Sequence, residues 1–173
     1  QEVAFFHGQI DPDHFGEVLV ELAKIYNNAL LVPEMNNMGH TTLEAIKRAQ
    51  YFRVYMREVK DELDSAKTTL KMGWRTTVAN KQLMLNKLIA AYRDSFIRIL
   101  DVDVLREMLA LTRGDNGQVE LNGKDRVVAT CLALAGLDQI YEAGTVYDPN
   151  KTKKLFLETK DLSREHLEKR FKI

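Results

Sequence analysis

The apolar run ALLV at positions 29–32, closed by Pro33 and followed at once by Glu34, constrains this chain more than any other stretch. Four consecutive apolar residues fit a strand covered on both faces. Proline cannot donate to a sheet ladder, so the strand should end there and hand Glu34 to the loop at its carboxyl end. Helix signals lie on both sides of it. Upstream, Asp11 is placed as an N-cap, Pro12 as the first helical residue and Asp13 in the first turn, and Phe15, Leu19, Leu22 and Tyr26 recur at helical spacing. Downstream, a second helix is expected over about 41–50.

The rest of the chain keeps this alternation. Residues 2–7 form a short β-prone run, and 51–58 alternates, with Tyr51, Arg53, Tyr55 and Arg57 on one face and Phe52, Val54 and Met56 on the other. The polar, mixed-charge stretch 59–72 reads as a long mobile loop or hairpin. An amphipathic helix over about 79–93 carries Met84, Leu85, Leu88, Ile89 and Tyr92, and 96–100 reads as another strand before a short helix at 102–110. The Gly-Asp-Asn-Gly centre of LTRGDNGQVEL marks a hairpin. A helix over 125–141 is apolar on nearly every side and should be buried. Strands alternating with helices argue an α/β domain with a partly parallel sheet.

Length and charge bound the partners. The 173 residues suit one ordinary domain, expected over 1–144, and 45% hydrophobic composition suffices for a core. The 25 acidic and 25 basic residues cancel, so any contact with a polyanion must be local. Residues 145–173 read as a basic tail: from Lys151 onward eight Lys or Arg face four acids, a net of plus four, with a short helix expected near 163–171. The lone Cys131 lies in an apolar stretch and packs as a small hydrophobe, so neither disulfides nor zinc are indicated. No apolar run approaches the roughly 18 residues that cross a bilayer, and the first residues lack the marks of a signal peptide. A soluble, intracellular protein without membrane contact is expected. Starting on Gln1 with a strand already under way, the chain reads as a piece of something longer.

Two acids stand out as candidates for chemistry. Glu34 is delivered where open α/β sheets bind ligands, outside the carboxyl ends of the strands. By itself such an acid is commonly a solvated loop residue. Asp125 opens the buried helix, where aspartate is also favoured simply as a cap and by the helix dipole. The pair is 91 residues apart (125 − 34), so only folding can bring them together.

Three stretches, ALLVPEMNNMGHTTLEAIKRA, KMGWRTTVANKQLMLNKLIAAYRD and IRILDVDVLREMLALTRGDNGQVELNGKDRVVATCLALA, resemble in that order the nuclease domain of the large terminase subunit of tailed bacteriophages. The likeness covers about residues 1–141. Its most specific parts are the strand ending in an acid followed by Asn-Asn and Gly, the GW-x-TT segment and the closing Asp-Arg-Val-x-Ala helix. The resemblance implies a ribonuclease H-like mixed sheet flanked by helices, here lacking the first strands of the family fold. It also implies a metal-dependent endonuclease that cuts concatemeric double-stranded DNA with little sequence preference during viral packaging. Partners in such a motor are the terminase ATPase domain, the small terminase subunit and the portal, and its place is the host cytoplasm rather than the virion.

Glu34 and Asp125 match two of the family's metal ligands. Mg²⁺ or Mn²⁺ is then the cofactor, because these hard cations prefer carboxylate oxygens and keep part of their water shell. The chain departs from the family at two points. The family's first acid lies on an initial strand with no counterpart here, where His7, Asp11 and Asp13 occupy the strand exit and helix start. Lys124 stands where the first of a closing Asp pair would be, which weighs against a second ion. For DNA contact the candidates are Trp74, by stacking, and the local basic group Lys67, Lys71, Arg75 and Lys81. A core role for the Trp and plain solvation for the cations explain them almost as well. Two other readings are a non-catalytic docking module for portal or motor and a different ribonuclease H-like nuclease such as a resolvase; GW-x-TT followed by a long helix and hairpin argues against the resolvase.

Overall fold

The computed structural model describes residues 1–36, 38–60, 68–114 and 117–142. The chain divides into two compact units, Gln1–Gln139 and Ile140–Ile173, and the functional residues discussed below all belong to the first. The expected basic tail, 145–173, and Lys67 lie outside the described residues.

In chain order the elements are α1 (Pro12–Ile25), α2 (Gly39–Arg48), β1 (Met56–Lys60), β2 (Thr68–Met72), α3 (Val78–Arg93), α4 (Val102–Leu109) and α5 (Asp125–Glu142). The described residues are thus mixed α/β, with five helices and a two-stranded antiparallel sheet. Local chemistry sets most helix starts. Pro12 opens α1. Thr77 caps α3 through a reciprocal box in which its hydroxyl accepts from the Asn80 N–H while its own N–H donates to the Asn80 side chain. The Asp101 carboxylate accepts from the N–H groups of Asp103 and Val104 at the head of α4.

The strands depart from expectation in instructive ways. The stretch 59–72 contains part of an antiparallel pairing, β1 against β2, in register from Met56↔Met72 to Lys60↔Thr68, and residues 61–67 lie outside the described residues. Residues 2–7 and 96–100 do not form strands. They share one main-chain bond, from the Glu2 N–H to the Arg98 carbonyl at 2.9 Å, and the Glu2 carboxylate instead ties the two segments by accepting from the N–H groups of Leu100 and Asp101. A side-chain clamp has replaced a ladder. The expected second hairpin is present as an antiparallel bridge, Arg113↔Val119, beside the bond from the Gly114 N–H to the Gln118 carbonyl.

Residues 29–35 are extended, and from Leu31 to Met35 their main-chain bonds all run to residues 53–55 and 74. Leu31 donates to the Arg53 carbonyl at 3.0 Å and accepts from the Tyr55 N–H at 2.8 Å, a parallel pairing with Val54. Further on, the Trp74 N–H donates to the Pro33 carbonyl and Met35 donates to the Trp74 carbonyl. Side chains alternate between two cores, as strand geometry requires. Ala29, Leu31 and Met35 pack with Val20, Leu43, Ile46 and Tyr51, whereas Val32 packs with the cluster of Leu85, Leu88, Val104, Val127 and Cys131. The segment packs on both faces as expected, but residues 29–32 are only half-buried and no regular ladder is completed.

Two glycines permit this closeness. Gly73 has φ +85°, and a Cβ there would fall 2.4 Å from Met35 Cγ. A Cβ on Gly136 of α5 would fall 2.7 Å from Val32 Cγ2, so the helix lies directly on the extended segment. Leu30 and Val32 therefore face α5, and by the same alternation so does Glu34.

Replacing Leu88, 0% exposed on the inner face of α3, by Ala should lower unfolding free energy by about 2–5 kcal/mol, whereas Leu83→Ala, 67% exposed on the same helix, should change it by under ~0.5 kcal/mol. Denaturant titration of the two variants checks the orientation of α3. Burial also pushes the Cys131 thiol up to about 12. The native protein at pH 8 should therefore resist iodoacetamide, and the unfolded chain should take up one equivalent, as mass spectrometry would record.

Candidate functional site

Glu34 leaves the end of the extended segment beside Trp74, with which it forms a parallel bridge. Its Oε1 accepts from the Asn36 side-chain amide at 3.0 Å, and the same amide donates to the Thr76 carbonyl at 3.3 Å. Thr76 adjoins the residue that caps α3, so the carboxylate is held by a short relay running from the helix start through Asn36. Such bracing fixes an acidic side chain without neutralising its charge.

Asp125 is the first residue of α5, yet it does not cap it. The N–H groups of Arg126 and Val127 donate to Glu107 Oε2, at 3.1 and 3.2 Å, so α4 supplies the cap. Among the described residues, the Asp125 carboxylate makes no hydrogen bond or ion pair, and its side chain is exposed. That leaves its oxygens available. The neighbouring Arg126 is already engaged: it lies 3.5 Å from Asp103 and from Glu107, with its guanidinium 5.1 Å over the Phe5 ring.

Both acids line one cleft of about 560 Å³. It is lined by the first half of α5, the α1–α2 layer, the extended segment from Leu30 to Glu34, and the N-terminal segment with Phe5, Phe6 and His7. His7 stacks on Phe5 at 6.4 Å, and Phe6 on Phe15 at 6.0 Å. Most of the lining is apolar, and Glu34, Asp125 and Arg126 are its charged members. A largely hydrophobic hollow with a few converging polar groups is the usual form of a ligand site. As metal ligands the two carboxylates offer the oxygen chemistry that Mg²⁺ and Mn²⁺ prefer. Among the described residues no three His, Cys, Asp or Glu side chains gather closely enough to hold a metal, and Glu34 and Asp125 are the two carboxylate residues in the cleft lining.

The described residues proposed for DNA contact lie between β2 and the first turn of α3. Trp74 is half-buried against the α3–α5 cluster, its ring 5.3 Å from that of Tyr55, and its Nε1 is buried without a hydrogen-bond partner. Arg75 is exposed, its carbonyl accepting from the Asn80 amide. Lys71 is exposed on β2 opposite Arg57, and Lys81 is half-buried in the first turn of α3. Lys124 contributes main-chain bonds only, donating to the Leu121 carbonyl and accepting from Val128.

Sequence reasoning did not assign roles to Asn36, Glu107 or Arg126. The Glu-x-Asn spacing is a usable signal for the first. Glu107 had none, because its partners lie 19 and 20 residues away. The chain matches no protein-family model, no curated protein and no solved structure among those compared.

The division of labour at α5 can be measured. Glu107→Ala should cost about 1–3 kcal/mol, because two helix N–H groups lose their acceptor, whereas Asp125→Ala should cost under about 1 kcal/mol from the helix dipole alone. Equal losses in thermal or denaturant unfolding would return Asp125 to the role of a cap.

Proposed function

We propose that this domain is a divalent-metal-dependent DNA endonuclease of the ribonuclease H-like type, the nuclease part of a viral DNA-packaging terminase, with Glu34 and Asp125 as its metal ligands. The observation that carries this reading is the shared cleft: two carboxylates 91 residues apart in the chain line one hollow, one braced by an amide and the other freed from helix capping. Supporting it are the parallel pairing of 29–35 with Val54 and Trp74, and the position of Glu34 at the segment's carboxyl end.

When bound, Mg²⁺ or Mn²⁺ would supply charge stabilisation at the phosphate and a water of lowered pKa. The protein's part is to hold Glu34 through Asn36 and to keep the Asp125 oxygens unengaged. Lys71, Arg75 and Lys81, together with Trp74 and Lys67, are the proposed DNA contacts. Contacts of that kind to phosphates carry no base information, which accords with cutting that is tolerant of sequence.

Supercoiled plasmid incubated with the protein and Mn²⁺ should be nicked or linearised. Glu34→Ala and Asp125→Ala should each reduce cutting by more than the ~10–100-fold typical of losing an outer-shell metal partner, while unfolding midpoints stay close to that of the native protein. Undiminished cutting by both variants would remove these acids from the chemistry.

A further inference from the structure

Arg126 lines the same cleft as Glu34 and Asp125, but a guanidinium has no acceptor and cannot be a ligand for a cation. Its place is fixed from two sides. Asp103 and Glu107 of α4 each lie 3.5 Å away, and the Phe5 ring centre is 5.1 Å from the guanidinium carbon. The side chain is only 22% exposed.

Neither arrangement satisfies its N–H donors. Nε is buried without a partner, and among the described residues neither terminal nitrogen donates a hydrogen bond. Both ion pairs, at 3.5 Å, are longer than the roughly 2.7–2.9 Å of a charge-assisted hydrogen bond. The two acids direct their shorter bonds elsewhere. Asp103 Oδ1 accepts from Arg106 Nη1 at 2.7 Å, and Glu107 Oε2 accepts from the N–H groups of Arg126 and Val127 at 3.1 and 3.2 Å. Arg126 thus combines a held position with an unused planar fork of donors, and a buried donor without an acceptor is costly. The group that suits such a fork is an oxyanion.

We propose that Arg126 grips the scissile phosphodiester of DNA, an assignment that rests on the nuclease reading: its guanidinium donates to one non-bridging oxygen while a cation on Glu34 and Asp125 takes the other. Arg126 follows Asp125 directly in the chain, so the two act on one substrate group from adjoining places on α5. Because α4 and Phe5 already hold the guanidinium, its donors need no reorganisation as charge develops on the phosphate. It orients the group and stabilises charge; no proton passes through it.

Lysine at this position separates the role from a structural one. Arg126→Lys keeps a cation beside Asp103 and Glu107 but loses the planar fork. Its unfolding midpoint should stay close to the native value, while plasmid cutting in Mn²⁺ should lose about 10²–10³ in kcat with KM nearly unchanged, since other phosphates still hold the DNA. A second measurement needs neither a variant nor cutting. Binding of a short DNA duplex in Ca²⁺, a cation that takes the same oxygen ligands, should shift the Arg126 Nε–H proton signal of the native protein, identified through its correlation with the Arg126 backbone amide. If the native protein cuts and Arg126→Lys cuts as fast, the proposal is overturned and the nuclease reading stands. An Nε–H signal that ignores DNA the native protein cuts has the same meaning. A native protein that cuts nothing yet shows the shift would keep the phosphate contact and remove the nuclease.

Discussion

The site is organised by four main-chain hydrogen bonds on one side of residues 31–35. Each contributes only ~1 kcal/mol net, so their importance is geometric rather than energetic. By tying Leu31 to Arg53 and Tyr55, and Pro33 and Met35 to Trp74, they set which side chains meet which core. They also bring the Gly73–Trp74 turn under Pro33, a contact that a side chain at position 73 would prevent. Glu34 is consequently presented at a fixed place beside α5, and the opposite edge of the segment is left facing the cleft.

Around that edge, two polar relays determine which groups stay available. Asn36 spans Glu34 and the carbonyl preceding the α3 cap, so a helix start and a candidate ligand share one support. Glu107 takes over the capping of α5 and at the same time lies 3.5 Å from Arg126. Both arrangements use a neutral amide or a neighbouring helix to do structural work. Glu34 is thereby held by the Asn36 amide, and the Asp125 carboxylate is left without a hydrogen bond or ion pair among the described residues.

How much of this was legible beforehand depended on the range of the interactions. Helix α1 was readable because Pro12 acts within a turn of where it sits, and α3 because its apolar residues recur at helical spacing, whereas the caps at Thr77 and Asp101 emerged only in the structure. That 29–32 packs on both faces was readable from four consecutive apolar residues, although these residues are only half-buried. Residues 2–7 and 96–100 were β-prone but did not become strands, because propensity describes fitness for a pleated surface and a partner edge must still be found. Between them runs a single main-chain bond, from the Glu2 N–H to the Arg98 carbonyl, and the Glu2 carboxylate reinforces it. Helix α5 looked buried all round, yet Ala129 and Ala133 open into the cleft, since composition cannot reveal which side lacks a covering layer. Asp125 looked like a cap by the commonest local rule, and only tertiary contact with α4 assigns that task to Glu107.

The central claim is that Glu34 and Asp125 serve a single cation, and the most direct measurement is paramagnetic broadening of backbone amide signals during titration with Mn²⁺. Amides next to Glu34 and next to Asp125 should lose intensity together, at the same low Mn²⁺ ratio and before those near exposed acids such as Glu21 or Asp138. Broadening confined to one of the two, or spread evenly over the surface acids, would contradict the account.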